Sequence, residues 1–135
     1  DAVAVYSIEY DLSRALILAM IYEESDPKWD PDCVSFKGAR GLMQIMPLWD
    51  DTLIKEGIIE TPEQIFDIAR NIRAGCWILR DYLDIATGGL EYYGYSDFRR
   101  TALESALDAY SGGGGQVYIG KVRDTMARIT KFMEE

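Results

Sequence analysis

Apolar and polar positions recur along this chain at helical spacing. In "ALILAMIY", residues 15–22, Leu16, Ile17, Met20 and Ile21 stand one, three and four apart, and Ser13 occupies the place of a helix cap. "DPKWDPDCVSFKGARG" is rich in proline, aspartate and glycine and reads as a long ordered loop. In "GLMQIMPLWDDTLIKEG" an apolar turn gives way to a short helix from Pro47, with Gly57 as its stop. Thr61-Pro62-Glu63-Gln64 has the form of a capping box. A long helix is predicted from about Asp67 to Thr87, with the stripe Ile68, Ile72, Cys76, Leu79, Leu83 and Ala86, ended by Gly88 and Gly89. "EYYGYSD" is an aromatic loop, and Ser96 is the predicted cap of a helix ending near Tyr110. Glycines 112 to 115 make the sharpest break, and the last helix carries Tyr118, Val122, Met126, Ile129 and Met133. No long segment alternates with period two, so the expected fold is all-α, without internal repeats or linkers.

Composition narrows what such a fold can do. A chain of 135 residues fits one domain, and 48% apolar with 27% charged residues is ordinary for a soluble globular protein. A net charge of -9, dispersed along the chain, argues against nucleic-acid binding. There is no histidine, which removes the Ser-His-Asp and Cys-His machineries and the commonest zinc ligand. Proton transfer would fall to carboxylate, tyrosine or lysine. No apolar run reaches the roughly 18 residues of a membrane span, and "DAVAVYSIEY" lacks the basic head and apolar stretch of a signal peptide. Cys33 and Cys76 cannot make a four-ligand metal site alone and form no C-x-x-C pair, leaving two buried thiols or one disulfide.

The candidate chemistry lies where the first strongly apolar helix ends in Glu23 and Glu24. Carboxylates there meet the negative pole of the helix, an unfavourable place for a charge. Side chains turn by about 100° per residue. The line Leu16, Met20 therefore continues to Glu24, while Glu23 falls off it toward solvent. A general acid working near neutral pH needs its carboxyl pKa raised, which an apolar pocket and a helix C-terminus both favour. Gln44 and Tyr110 stand beside glycine-rich turns, where backbone can approach a ligand.

"ALILAMIYEES", "VSFKGARGLMQIMP", "NIRAGCWILRDYL" and "ALDAYSGGGGQVYIGKV" follow the order and approximate spacing of a known set of motifs. In that set Glu-Ser precedes Gly-Leu-Met-Gln, Asn-Ile-x-x-Gly-x-x-Tyr-Leu and Ala-Tyr-Asn-x-Gly. The chain thus resembles, from about Leu12 to Ile129, the catalytic domain of soluble lytic transglycosylases, relatives of goose-type lysozyme. The resemblance implies a compact lysozyme-like helical domain with a substrate cleft over residues 1–135. It implies cleavage of the β-1,4 bond between N-acetylmuramic acid and N-acetylglucosamine in peptidoglycan, with a 1,6-anhydro product and no metal or organic cofactor. Glu24 would be the acid/base, and the substrate's 2-acetamido group would replace a second carboxylate. Asp26, Asp50, Asp51 and Asp108 are then given no catalytic role; Asp50 and Asp51 read as first-turn helix charges and Asp108 as facing water.

Ser25, Met43, Gln44, Tyr110, Ser111 and Tyr118 match substrate-binding positions of the family, with the Tyr110 hydroxyl expected on Glu24. Met43 reads equally well as core, and packing is the alternative for Tyr110. The implied partners are peptidoglycan glycan strands, met as a monomer in the periplasm or outside the cell, with no nucleic acid and no transmembrane segment. Exposed aromatics Trp29, Tyr92, Tyr93 and Tyr95 can stack on sugars. Departures from the pattern are a loop longer by two at Asp26-Pro27-Lys28, Ser111 in place of Asn, and Gly114 where Pro is common. Trp77, beside Cys76, is read as packing. Cys33 and Cys76 both replace a frequent alanine, which suggests a disulfide contributing about 3–4 kcal/mol. A hydrolase of goose-type lysozyme kind and a non-catalytic glycan-binding module remain the alternatives.

Overall fold

The computed structural model describes residues 1–89 and 101–134. Among them are six α-helices: α1 (Ala2–Glu9), α2 (Arg14–Glu24), α3 (Asp50–Lys55), α4 (Ile68–Gly89), α5 (Ala102–Tyr110) and α6 (Gly115–Glu134). Tight 3-10 turns at Pro47–Trp49 and Pro62–Phe66 precede α3 and α4. The described residues contain no sheet, only isolated bridges from Arg40 to Val34 and Ile45. The all-α expectation holds.

The helix that leads to the candidate site is α2, which packs on α6 and α1. It starts as its sequence suggests, with Ser13 Oγ accepting from the Leu16 amide at 3.3 Å. Six of its residues are buried, including Ile17, Met20 and Ile21, so the helix is apolar nearly all round, as a core helix is. The stripes of α4 and α6 also lie largely as read. Ile72, Cys76, Leu79 and Val122 are buried, while Ile68 and Met133 at the stripe ends are exposed. Trp77 packs edge-on against Trp49, as expected of it.

Several local expectations are corrected. The chain begins with a helix, α1, capped by Asp1, whose Oδ1 accepts from the Val3 amide at 3.0 Å. Thr61 makes no side-chain cap. Gln64 Oε1 instead accepts from the Glu60 amide and from Arg70, both at 2.7 Å, and closes a 3-10 turn. Asp67 caps α4 through the Arg70 amide at 3.1 Å. The helix ending at Tyr110 starts from Thr101, in a capping box with Glu104; Ser96, Tyr92, Tyr93 and Tyr95 lie outside the described residues. Both cysteines are free. Cys33 Sγ donates to the Gly41 carbonyl at 3.3 Å, whereas Cys76 sits in the α4 core, its thiol pushed up to about 12 by burial and then by the Glu9 charge. The two sulfurs serve different packing environments, so no disulfide joins them.

Candidate active site

The site begins at the last turn of α2. Ser25 ends the helix: its amide and hydroxyl both donate to the Ile21 carbonyl, at 3.0 and 2.7 Å, and its Oγ accepts from the Trp29 amide at 2.9 Å. The side chain is fully buried. Ser25 therefore fixes the exit of the chain next to Glu24, and its hydroxyl is already engaged.

Glu24 is partly buried as a residue, and desolvation of its carboxyl is the main reason that the group is raised from 4.5 to about 7. A hydrogen-bonding interaction with Tyr118 and the charge of Lys28 pull it down, and the charge of Glu23 pushes it up. Glu23 is not simply solvated. Its Oε1 accepts from Thr125 Oγ1 on α6 at 2.9 Å, and Arg128 donates to the same threonine at 3.2 Å.

Two tyrosines converge on this carboxyl. Burial and then the Glu24 charge raise the pKa of both Tyr118 and Tyr110, so both stay protonated at any working pH. Tyr118 Oη is buried without a partner at strict hydrogen-bond geometry, although it is close enough to Glu24 for each to shift the other. We read this as a long or poorly aligned contact that a small movement would close. The Tyr110 hydroxyl, expected on Glu24, instead donates to the Met43 carbonyl at 2.7 Å. Its single proton is committed there, and Tyr118 takes the place beside the acid.

A turn at 41–45 meets Tyr110. Gly41 adopts φ +77°, and a Cβ there would run into the Asn71 side chain. Asn71, buried on α4, accepts from the Met43 amide at 2.8 Å and donates to the Arg40 and Ile65 carbonyls at 3.0 and 2.9 Å. Met43 is fully buried, its side chain filling the notch that Gly75 leaves on α4, so its core reading is the one realised. Arg40 braces the turn from behind, bonding the Ile45 carbonyl at 3.2 Å and pairing with Asp50 at 2.6 Å.

Gln44 follows with φ +52°, an uncommon conformation for a residue with a side chain and one that collects at functional positions. Its Nε2 donates to the Gly41 carbonyl at 2.9 Å and to Cys33 Sγ at 3.3 Å. Among the described residues nothing donates to its Oε1, which leaves an oriented acceptor. Ser111 shapes the turn between α5 and α6: it donates to the Asp108 carbonyl at 2.9 Å and accepts from the Gly114 amide at 2.8 Å. Asp108 does not simply face water, because its Oδ1 accepts from the Gly115 amide at 2.8 Å.

The structure thus links Glu24, Tyr118, Tyr110, Met43 and Gln44 in sequence, while Ser25 and Ser111 serve turns. From the sequence Glu23 is read as facing solvent, Lys28 only as part of the longer loop and Asn71 only as the start of a motif, so none of them is given a part in the site. Among the described residues no cluster of three or more His, Cys, Asp or Glu is placed to hold a metal. A groove of about 620 Å³ between α1, α2 and the end of α6 is lined by Leu18, Tyr22, Trp29, Ile129 and Phe132 among others, but by none of the linked residues. The candidate chemistry lies elsewhere.

A helical domain in which the apolar helix α2 ends in a partly buried, protonatable glutamate defines the class, and comparison supplies the family. The transglycosylase SLT domain model matches residues 1–131, and the chain belongs to that family. In fold it is similar to an inactive glutamate-to-glutamine mutant of the lytic transglycosylase Slt from Pseudomonas aeruginosa, with 23% identity and a TM-score of 0.64 over 90% of this chain and 17% of that one. It is also similar to the 70 kDa soluble lytic transglycosylase from Escherichia coli, with 25% identity and a TM-score of 0.60 over 93% of this chain and 19% of that one. A complex of a 70 kDa soluble lytic transglycosylase with bulgecin A gives 25% identity and a TM-score of 0.60, covering 91% and 18%. The chain therefore spans less than a fifth of each of these proteins. Comparison with curated proteins finds no match. Among the described residues no helix is long and apolar enough to cross a membrane.

Proposed function

We propose that residues 1–135 form a lytic transglycosylase domain that cleaves the MurNAc–GlcNAc β-1,4 bond of peptidoglycan outside the cytoplasm. The observation that carries this reading is the Glu24 carboxyl, partly buried at the end of α2 and raised to about 7. Such a group is protonated when it meets substrate and can give that proton up. Membership of the transglycosylase SLT family supports the same reading.

In the proposed reaction the Glu24 proton passes to the glycosidic oxygen as the bond from that oxygen to C1 breaks. The substrate's 2-acetamido oxygen holds C1 in the interval, so no second carboxylate is needed. The Glu24 carboxylate then takes the proton of the C6 hydroxyl as O6 bonds to C1, which gives the 1,6-anhydro ring and restores the acid. Tyr118 steadies the carboxylate between the two halves. The vacant Gln44 Oε1 accepts from an acetamido N–H, and Tyr110 holds the turn that aims it.

Incubation of purified sacculi with the wild-type domain and with Glu24→Gln tests this. Wild type should release soluble muropeptides, and the variant should release at least about 100-fold fewer, the usual worth of a general acid. Release that survives the substitution removes Glu24 from the mechanism. Binding without release by the wild type would make the domain a glycan-binding module.

A further inference from the structure

Three donors converge on one carbonyl beside the candidate site. The Gly41 oxygen accepts from the Gln44 amide at 3.1 Å, from Gln44 Nε2 at 2.9 Å and from Cys33 Sγ at 3.3 Å. A carbonyl offers two lone pairs, so the longest of these contacts, that of the thiol, is the weakest. The sulfur keeps its own lone pairs and accepts from Gln44 Nε2 at 3.3 Å. The nitrogen end of the Gln44 side chain is thus held by two acceptors, Gly41 and Cys33. From this geometry we propose that Cys33 is a positioning residue for substrate binding, the second acceptor that stops the Gln44 amide from swinging and keeps Oε1 free to accept. The inference rests on the reading of Gln44 as the partner of an acetamido N–H.

The sulfur is fixed independently of Gln44. The Gly41 amide donates to the Cys33 carbonyl at 2.8 Å, and Val34 bridges Arg40, so Cys33 is tied alongside the turn. Cys33 is also buried, which keeps water from taking the place of its sulfur. Gln44 is only partly buried, and its left-handed backbone brings the side chain back over Gly41. Turned end for end, the amide would set Oε1 against the Gly41 carbonyl, two acceptors face to face. Gly41 therefore decides which end of the amide faces the protein, and Cys33 limits how far that end swings. A sulfur acceptor is weak, yet it is enough for a restraint added to a stronger bond.

The test pairs nitrogen-15 NMR of the Gln44 side-chain amide with kinetics on soluble, uncross-linked glycan strands. The spectra are taken on the full chain without substrate, with Gln44→Ala assigning the signals. Cys33→Ala and Cys33→Val remove the acceptor, one leaving space and the other filling it, whereas Cys33→Ser keeps an acceptor. In the first two the amide signals should shift and their relaxation should show added motion. KM should rise roughly 3- to 10-fold, the worth of one hydrogen bond, with kcat within about twofold. Cys33→Ser should stay closer to wild type in both readouts. An amide unchanged in Cys33→Ala and Cys33→Val, with an intact backbone spectrum, overturns the proposal. So does a freed amide with KM unchanged, or a Cys33→Ser that falls with Cys33→Ala. An amide freed in Cys33→Ala and held in Cys33→Ser, in a chain whose wild type cleaves no strand, supports the hold of Cys33 on Gln44 and sinks instead the reading of the site as a transglycosylase.

Discussion

Glu24→Gln separates what favours the fold from what the proposed chemistry needs. Burial above all moves this carboxyl from 4.5 to about 7. The folded protein thus binds the proton more tightly than the unfolded chain does. The stability from that difference is fully present below pH 4.5 and is lost as the pH rises through about 7. A separation of about 2.5 in pKa corresponds to about 3.4 kcal/mol, which the part of the side chain that water still reaches reduces to roughly 2–3 kcal/mol. Glutamine keeps the shape and cannot ionise. The variant should therefore match wild type near pH 4 and exceed it by about 2–3 kcal/mol at pH 8, on the order of 10 °C in Tm. Urea unfolding of both proteins at several pH values between 4 and 8 measures this directly. A stability difference that stays flat across the range would mean an ordinary solvated glutamate, and the argument from burial would fail.

Three further outcomes follow from the same geometry. Asn71→Ala strands the Met43 amide and the Arg40 and Ile65 carbonyls. At about 1–3 kcal/mol for each buried polar group left unpaired, urea unfolding should show a loss of at least ~3 kcal/mol; a loss below ~1 kcal/mol contradicts the hub. Tyr118→Phe removes an interaction that lowers Glu24 but no well-formed hydrogen bond. The Glu24 midpoint should rise while stability changes by less than about 1 kcal/mol, read by NMR titration and urea unfolding. Both cysteines should react with a thiol reagent in denaturant without reductant, and reductant should leave Tm unchanged. A chain with no reactive thiol would restore the disulfide.

Legibility of the fold followed how cleanly apolar positions segregate. α4 and α6 carry their buried residues at helical spacing and could be read directly, as could the cap at Ser13. α1 could not: it buries Val3 and Ser7 while exposing Val5 and Ile8, so no apolar face marks it. The box at Thr61 misled because two donors, the Glu60 amide and Arg70, claim Gln64 first.

The candidate site divides the same way. Glu24 was legible from periodicity, since it continues a buried line on α2. Asn71 was not, because its partners Met43 and Arg40 are backbone groups 28 and 31 residues away that only the fold brings near. Ser25, Met43 and Ser111 match a motif as residues, yet their side chains hold turns or fill the core. A motif records which residues a site needs and is silent on whether each touches substrate or shapes the backbone that does.

The most direct measurement is the mass of the sugars released from purified sacculi by this domain. Ring closure by O6 should give muramic ends lighter by one water than hydrolysed ends and resistant to borohydride reduction. Reducing muramic ends of full hydrolytic mass, formed from the start of the reaction, would contradict the account and make the domain a hydrolase on the same fold.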